Sequence, residues 1–194
     1  MALRPLFLSA LLASSTFAYA GQDLVYHDGK TPLTGYLAEP AQASGKLPAV
    51  LIIHQWLGLT DYEKGRADQI AKELGYVSLA ADIYGPDRPS EASQAGAVAG
   101  KYKNDLQLYR ARVRAGLKAL QASPHVDPKN IAVIGYCFGG TGALEAARAD
   151  MPIKAVVTFH GALAYAGKDR SALSAPVLAL HGADDPFIKP AEVD

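Results

Sequence analysis

The stretch Gly135-Tyr136-Cys137-Phe138-Gly139-Gly140 (GYCFGG) decides the reading of this chain, because it joins a buried-strand run, "NIAVIGY", to a small-residue helical run, "FGGTGALEAARA". A chain that leaves a strand and enters a helix within one residue has no room for bulk two positions before or after the turning residue. Gly135 and Gly139 meet that demand and lift Cys137 clear of the backbone. A cysteine so placed sits at a helix N-terminus, where unpaired amides and the positive end of the helix dipole favour thiolate over thiol. The Phe138 amide faces the same space, so Cys137 reads as a nucleophile and Phe138 as an oxyanion donor. The alternative is a buried structural thiol with glycines that merely permit close packing, a common fate of free cysteine.

Working outward, the chain alternates strand and helix patterns. Two short strand candidates, "LVYHDG" and "PLTGYLAEP", are separated by Asp28 and Gly29 and predict an antiparallel entry hairpin. "PAVLIIH" is a continuous β-branched run of the kind buried on both sheet faces. A helix is predicted from Asp61 to Gly75, with Thr60 as N-cap, Glu63 completing a capping box and Gly75 as stop. "YVSLAADIYG" is a second buried strand, and one long helix is predicted from about Glu91 to Gln121, with Leu106, Tyr109, Val113, Leu117 and Leu120 on one stripe. "IKAVVTFHG" and "APVLALHG" supply two further strands. Such alternation predicts an α/β protein with a mostly parallel, doubly wound sheet whose ligands bind at the carboxyl ends of the strands.

Two other loops complete a hydrolytic constellation. The loop "HQWLGLTDY" follows the central strand, where the second amide of an oxyanion hole is expected, and Trp56 is the candidate donor. Gln55 and His54 stand beside it as possible contacts to thiol or substrate, with loop stabilisation as the competing role for Gln55. The strand "APVLALHG" ends in Asp184 and Asp185, and Asp185 is chosen as the triad acid, against an Asx turn as the alternative use of both. The base is harder to place. In this arrangement the order is nucleophile, acid, histidine, yet all five histidines (His27, His54, His125, His160, His181) precede Asp185. His54, His160 and His181 end strands and read as structural groups, so the histidine is expected beyond Asp194 and the chain is expected to lack the last strand and helix of its fold.

The chain has 194 residues, 49% hydrophobic and 20% charged, as a globular protein with a core requires. Nineteen basic and nineteen acidic residues, with no charged run, recommend neither nucleic acid nor an anionic membrane surface as partner; a small molecule is the better expectation. Residues 1–20, "MALRPLFLSALLASSTFAYA", place Arg4 before an apolar run and end in Ala18-Tyr19-Ala20, a secretory signal pattern whose apolar run is shorter than the ~20 residues that span a bilayer. Residues 21–194 then form one domain, exported to the periplasm or secreted. With a single cysteine no internal disulfide exists.

The "GYCFGG" turn, the "HQWLGL" loop, the "ADIYG" strand end and the "HGADDPF" acid turn resemble, in order, the dienelactone hydrolase family of the α/β-hydrolase fold, over nearly all of Gly21 to Asp194. The resemblance implies hydrolysis of an activated ester or lactone through an acyl-cysteine, with Asp185 orienting a histidine and Phe138 and Trp56 holding the oxyanion, and implies no metal or organic cofactor. The family often carries glutamate where Gln55 stands, a residue that keeps the resting thiol protonated. Its substrate carboxylate is met by arginine and tyrosine; Arg88, Lys101 and Tyr84 lie near suitable strand ends but read as solvated surface. A non-catalytic exported binding protein that retains the hydrolase pocket is the second reading, and thiol redox sensing, without a second cysteine, is the third.

Overall fold

A computed structural model of the protein describes residues 21–164 and 173–193. The expected signal segment, residues 1–20, lies outside these. Seven strands form one sheet in the order β1-β2-β4-β3-β5-β6-β7. β1 (Gln22–Asp28) and β2 (Thr31–Ala38) make the entry hairpin, and β2 also runs antiparallel to β4 (Val77–Ala81). From there the sheet is parallel, through β3 (Leu47–Ile53), β5 (Val126–Tyr136), β6 (Ala155–Phe159) and β7 (Val177–Leu180).

The alternation along β3 divides the core between the two sheet faces. Val50 and Ile52 pack with Ala67 and Ala71 of α1 (Asp61–Leu74), whereas Leu51 and Ile53 belong to the larger cluster with α3 (Leu106–Gln121) and α4 (Phe138–Arg148). Each such aliphatic side chain taken wholly out of water contributes on the order of 1.5–3 kcal/mol. α1 starts as its sequence dictates: Thr60 accepts from Tyr62 N–H, Glu63 accepts from Thr60 N–H at 2.9 Å, and Gly75 closes the helix in the left-handed conformation at φ 69°.

One prediction is corrected. The long helix expected from Glu91 to Gln121 is two helices, α2 (Ala92–Asn104) and α3. Asp105 leaves helical geometry at ψ 83° and its carboxylate accepts from Leu108 N–H at 2.9 Å, ending one helix and capping the next. An aspartate inside a periodic stretch competes for its own backbone, and here the cap wins. A short helix, α5 (Pro190–Val193), follows the acid turn. Among the described residues no helix is long and apolar enough to cross a membrane.

Candidate active site

Cys137 occupies the one-residue turn between β5 and α4 at φ 54°, ψ −112°, a backbone region that costs a non-glycine residue on the order of 1–3 kcal/mol and persists only where the surroundings impose it. The surroundings are backbone. A Cβ added to Gly135 would lie 1.9 Å from the Gly139 carbonyl oxygen, and one on Gly139 would lie 2.1 Å from that of Ile53 in β3. A third glycine is equally required: a Cβ on Gly140 would come within 2.5 Å of Thr158 Oγ1. Cys137 N–H donates to Phe159 O at 2.8 Å, tying the turn to β6. Phe138 N–H is a first-turn amide with no helical acceptor.

The loop after β3 is held from behind. His54 is fully buried, its Nδ1 donates to Gln55 O at 2.7 Å and its Nε2 accepts from Ile83 N–H at 3.2 Å. Burial holds this imidazole below its ordinary pKa, so it is neutral. Gln55 Oε1 accepts from Leu57 N–H at 2.9 Å, and Gln55 N–H points to the buried Glu63 carboxylate at 3.4 Å. Both ring nitrogens of His54, one of them on Ile83 just after β4, and the side-chain oxygen of Gln55 thus have partners within the protein. Tyr84, expected at the surface, is wholly buried and donates to Trp56 O at 3.0 Å. Lys101 pairs with Asp87 at 2.6 Å.

Beneath Cys137 lies an aromatic cluster that the sequence pattern did not single out as part of the site. Phe138 stacks on Tyr109 with ring centroids 4.6 Å apart and sits 5.7 Å from the His54 ring. Tyr109 donates to Phe138 O at 2.7 Å and Tyr102 to Tyr84 O at 3.2 Å. Burial pushes the Tyr102 phenol up to about 12 and that of Tyr109 well above its ordinary value, so both are permanent donors. The same cluster therefore supports the Cys137 turn and the Trp56 loop.

The acid turn follows β7. Asp185 Oδ1 accepts from Phe187 N–H at 2.9 Å and Ile188 N–H at 3.2 Å. Its Oδ2 engages His160 Nδ1, and His181 Nε2 lies 3.4 Å away. Burial raises the Asp185 carboxyl, but the Phe187 amide, the His160 ring and the Ile188 amide together bring it below its usual range. Asp184 is exposed, so Asp185 is the aspartate that carries a histidine. His160, which the sequence suggested as a structural strand-end group, stands at φ 57° just after β6, with Nε2 unbonded among the described residues. The segment behind it is held by Arg148, which donates to Leu163 O at 2.8 Å and to the buried Glu145 at 2.8 Å; Arg110 meets the same carboxylate at 2.6 Å.

Cys137, Phe138, Trp56 and His160 line one cavity of about 410 Å³, closed further by Phe187 and Ile188. The geometry thus brings together a thiol at a helix N-terminus, two amides and a histidine on a carboxylate. His54 and Gln55 stand behind the cavity rather than in its lining. Among the described residues no group of three His, Cys, Asp or Glu side chains could hold a metal ion.

Sheet order, the strained turn and the acid turn after a later strand define an α/β-hydrolase-fold protein. Residues 33–194 match the model of the dienelactone hydrolase family, and the chain belongs to that family. A candidate carboxymethylenebutenolidase of Synechocystis is 34% identical over 138 residues, covering 67% of this chain and 54% of the relative. A candidate 2-oxo-3-(5-oxofuran-2-ylidene)propanoate lactonase of Bradyrhizobium is 33% identical, covering 79% of this chain and 65% of that protein. The chain therefore spans between half and two thirds of the length of these two relatives. The crystal structure of a dienelactone hydrolase-like promiscuous phosphotriesterase from metagenomic libraries superposes with a TM-score of 0.83 at 37% identity, covering 90% of this chain and 73% of that one.

Proposed function

We propose that this protein hydrolyses a carboxylic ester or lactone, with Cys137 as nucleophile. The observation that carries the reading is the strained Cys137 on the same cavity as the Trp56 and Phe138 backbone and the His160–Asp185 pair. The thiolate attacks the carbonyl carbon and the carbonyl electrons move onto oxygen, where the amides of Phe138 and Trp56 donate to the oxyanion. Collapse expels the alcohol oxygen, which takes its proton from an imidazolium, and leaves an acyl thioester on Cys137. Water then gives a proton to the imidazole as its oxygen bonds to the thioester carbon; the C–S bond breaks, the acid leaves, and the thiolate and imidazolium are restored.

Among the described residues His160 is the histidine placed for both transfers. Its Nδ1–H is committed to Asp185, which leaves the Nε2 lone pair as the proton acceptor. p-Nitrophenyl acetate hydrolysis by the protein and by Cys137→Ala and His160→Gln variants tests the assignment. Loss in both supports it. Loss in Cys137→Ala alone assigns the base to another histidine, one that would follow the usual nucleophile-acid-histidine order. Activity that survives Cys137→Ala overturns the nucleophile.

The phosphotriesterase among the similar structures adds a second substrate class, a neutral phosphotriester, whose developing phosphoryl oxyanion suits the same two amides. The pattern of residues 1–20 supports export with cleavage after Ala20. N-terminal sequencing of protein recovered outside the inner membrane tests this: a chain that begins at Gly21 supports it and one that retains Met1 contradicts it.

A further inference from the structure

α2 turns Gly96, Ala99, Gly100 and Lys103 toward the cavity that holds Cys137, at the i, i+3, i+4, i+7 spacing of one helix face. Glycine is among the least favourable residues in a helix interior, so two on one face call for a reason. None is found among the described residues. Neither residue has the positive φ of Gly29 or Gly75, and a Cβ built on either meets nothing within 4 Å, in contrast to the elbow glycines, where it would strike backbone. What the two share is the cavity wall, which they leave without side chains.

We infer that Gly96 and Gly100 set the size of the substrate, and that the part of the ester lying along α2 is a bulky apolar acyl or alcohol group. The inference rests on Cys137 as the nucleophile of the same cavity. Trp56, Phe138, Ala162, Phe187 and Ile188 make the rest of the lining largely apolar. From Gly96 to Lys103 the helix axis advances about 10 Å at 1.5 Å per residue, the length of a medium-chain or aryl group rather than of an acetyl group.

Gly96→Leu and Gly100→Leu variants are assayed with p-nitrophenyl acetate and p-nitrophenyl octanoate. We expect kcat/KM for the octanoate to fall about tenfold or more, a loss of the order that crowding by a few methylenes produces, while the acetate stays within about twofold. Gly96→Ala and Gly100→Ala each raise Tm by about 2–4 °C, because helix propensity improves and nothing is displaced. As a readout independent of turnover, Cys137, the sole cysteine, is labelled with N-ethylmaleimide and with N-pyrenylmaleimide; Gly100→Leu slows only the larger reagent. Equal effects on small and large probes, or none on either, overturn the inference. A size-selective labelling effect in a protein that turns over no ester upholds the wall and overturns the hydrolase reading instead.

Discussion

The Cys137 turn follows β5, which pairs with a strand on each side, whereas the Asp185 turn follows β7, which among the described residues pairs with β6. The nucleophile turn is imposed sterically: Gly135 and Gly139 let β5, α4 and β3 approach so closely that Cys137 has one backbone conformation available. The acid turn is held by hydrogen bonds, two amides on one carboxylate oxygen and a histidine on the other. Steric constraint tolerates no substitution but does not depend on pH, while a hydrogen-bonded turn accepts substitution and responds to protonation. In the proposed mechanism one region fixes where the reaction occurs, and the other sets the protonation state in which it proceeds.

The sharpest way to break this contrast is Gly139→Ala. Its Cβ would lie within 2.5 Å of the carbonyl oxygens of both Ile53 and His54, so we expect a loss of about 3 kcal/mol or failure to fold, read by urea unfolding. A stable, active variant would show that the turn has slack. Cys137→Ala removes the nucleophile without touching this packing, and kcat should fall by about 10³-fold or more with Tm almost unchanged.

Asp185→Asn on the other side keeps the size of the side chain and the acceptor for the Phe187 and Ile188 amides. We expect a loss of about 10²–10⁴-fold in kcat with little loss of stability. In the unaltered protein the Asp185 carboxyl lies below its usual range, so its contribution is present above the unfolded aspartate pKa of ~3.9 and is lost as pH falls through the lower folded value. Acid unfolding of Asp185→Asn should therefore be the shallower of the two below about pH 4.

His54 has the opposite sense. Burial lowers its pKa, so as pH falls below ~6.5 the unfolded chain takes up a proton that the folded protein does not, and stability declines. His54→Asn should flatten the dependence of Tm on pH between about 7.5 and 5.5, and an unchanged slope would contradict the buried neutral ring.

The parts of this molecule that follow from sterics or periodicity were legible in its sequence. Gly135, Gly139, the Thr60–Glu63 capping box and the buried run of β3 each have a local signature that tertiary context had no reason to override. The break at Asp105 was missed because a single aspartate in a periodic stretch is also found on solvent-facing helix surfaces. The roles of His54, Gln55 and Tyr84 depend on which way each side chain turns from a loop, and no spacing encodes that. Chain order argues against a His160–Asp185 pairing, whereas the contact between them arises from the neighbouring ends of β6 and β7. The cavity face of α2, with Gly96 and Gly100, has no signature in periodicity, because bare glycines register only as weak helix.

The central claim, that Cys137 carries the acyl group, is tested most directly by mixing the protein with p-nitrophenyl acetate, quenching in acid within the first turnover and mapping the digest by mass spectrometry. The account predicts one acetyl group on the peptide containing Cys137, formed with a burst of p-nitrophenol and absent in Cys137→Ala. Steady turnover with no adduct on that peptide, or with the acetyl group on another residue, would contradict it.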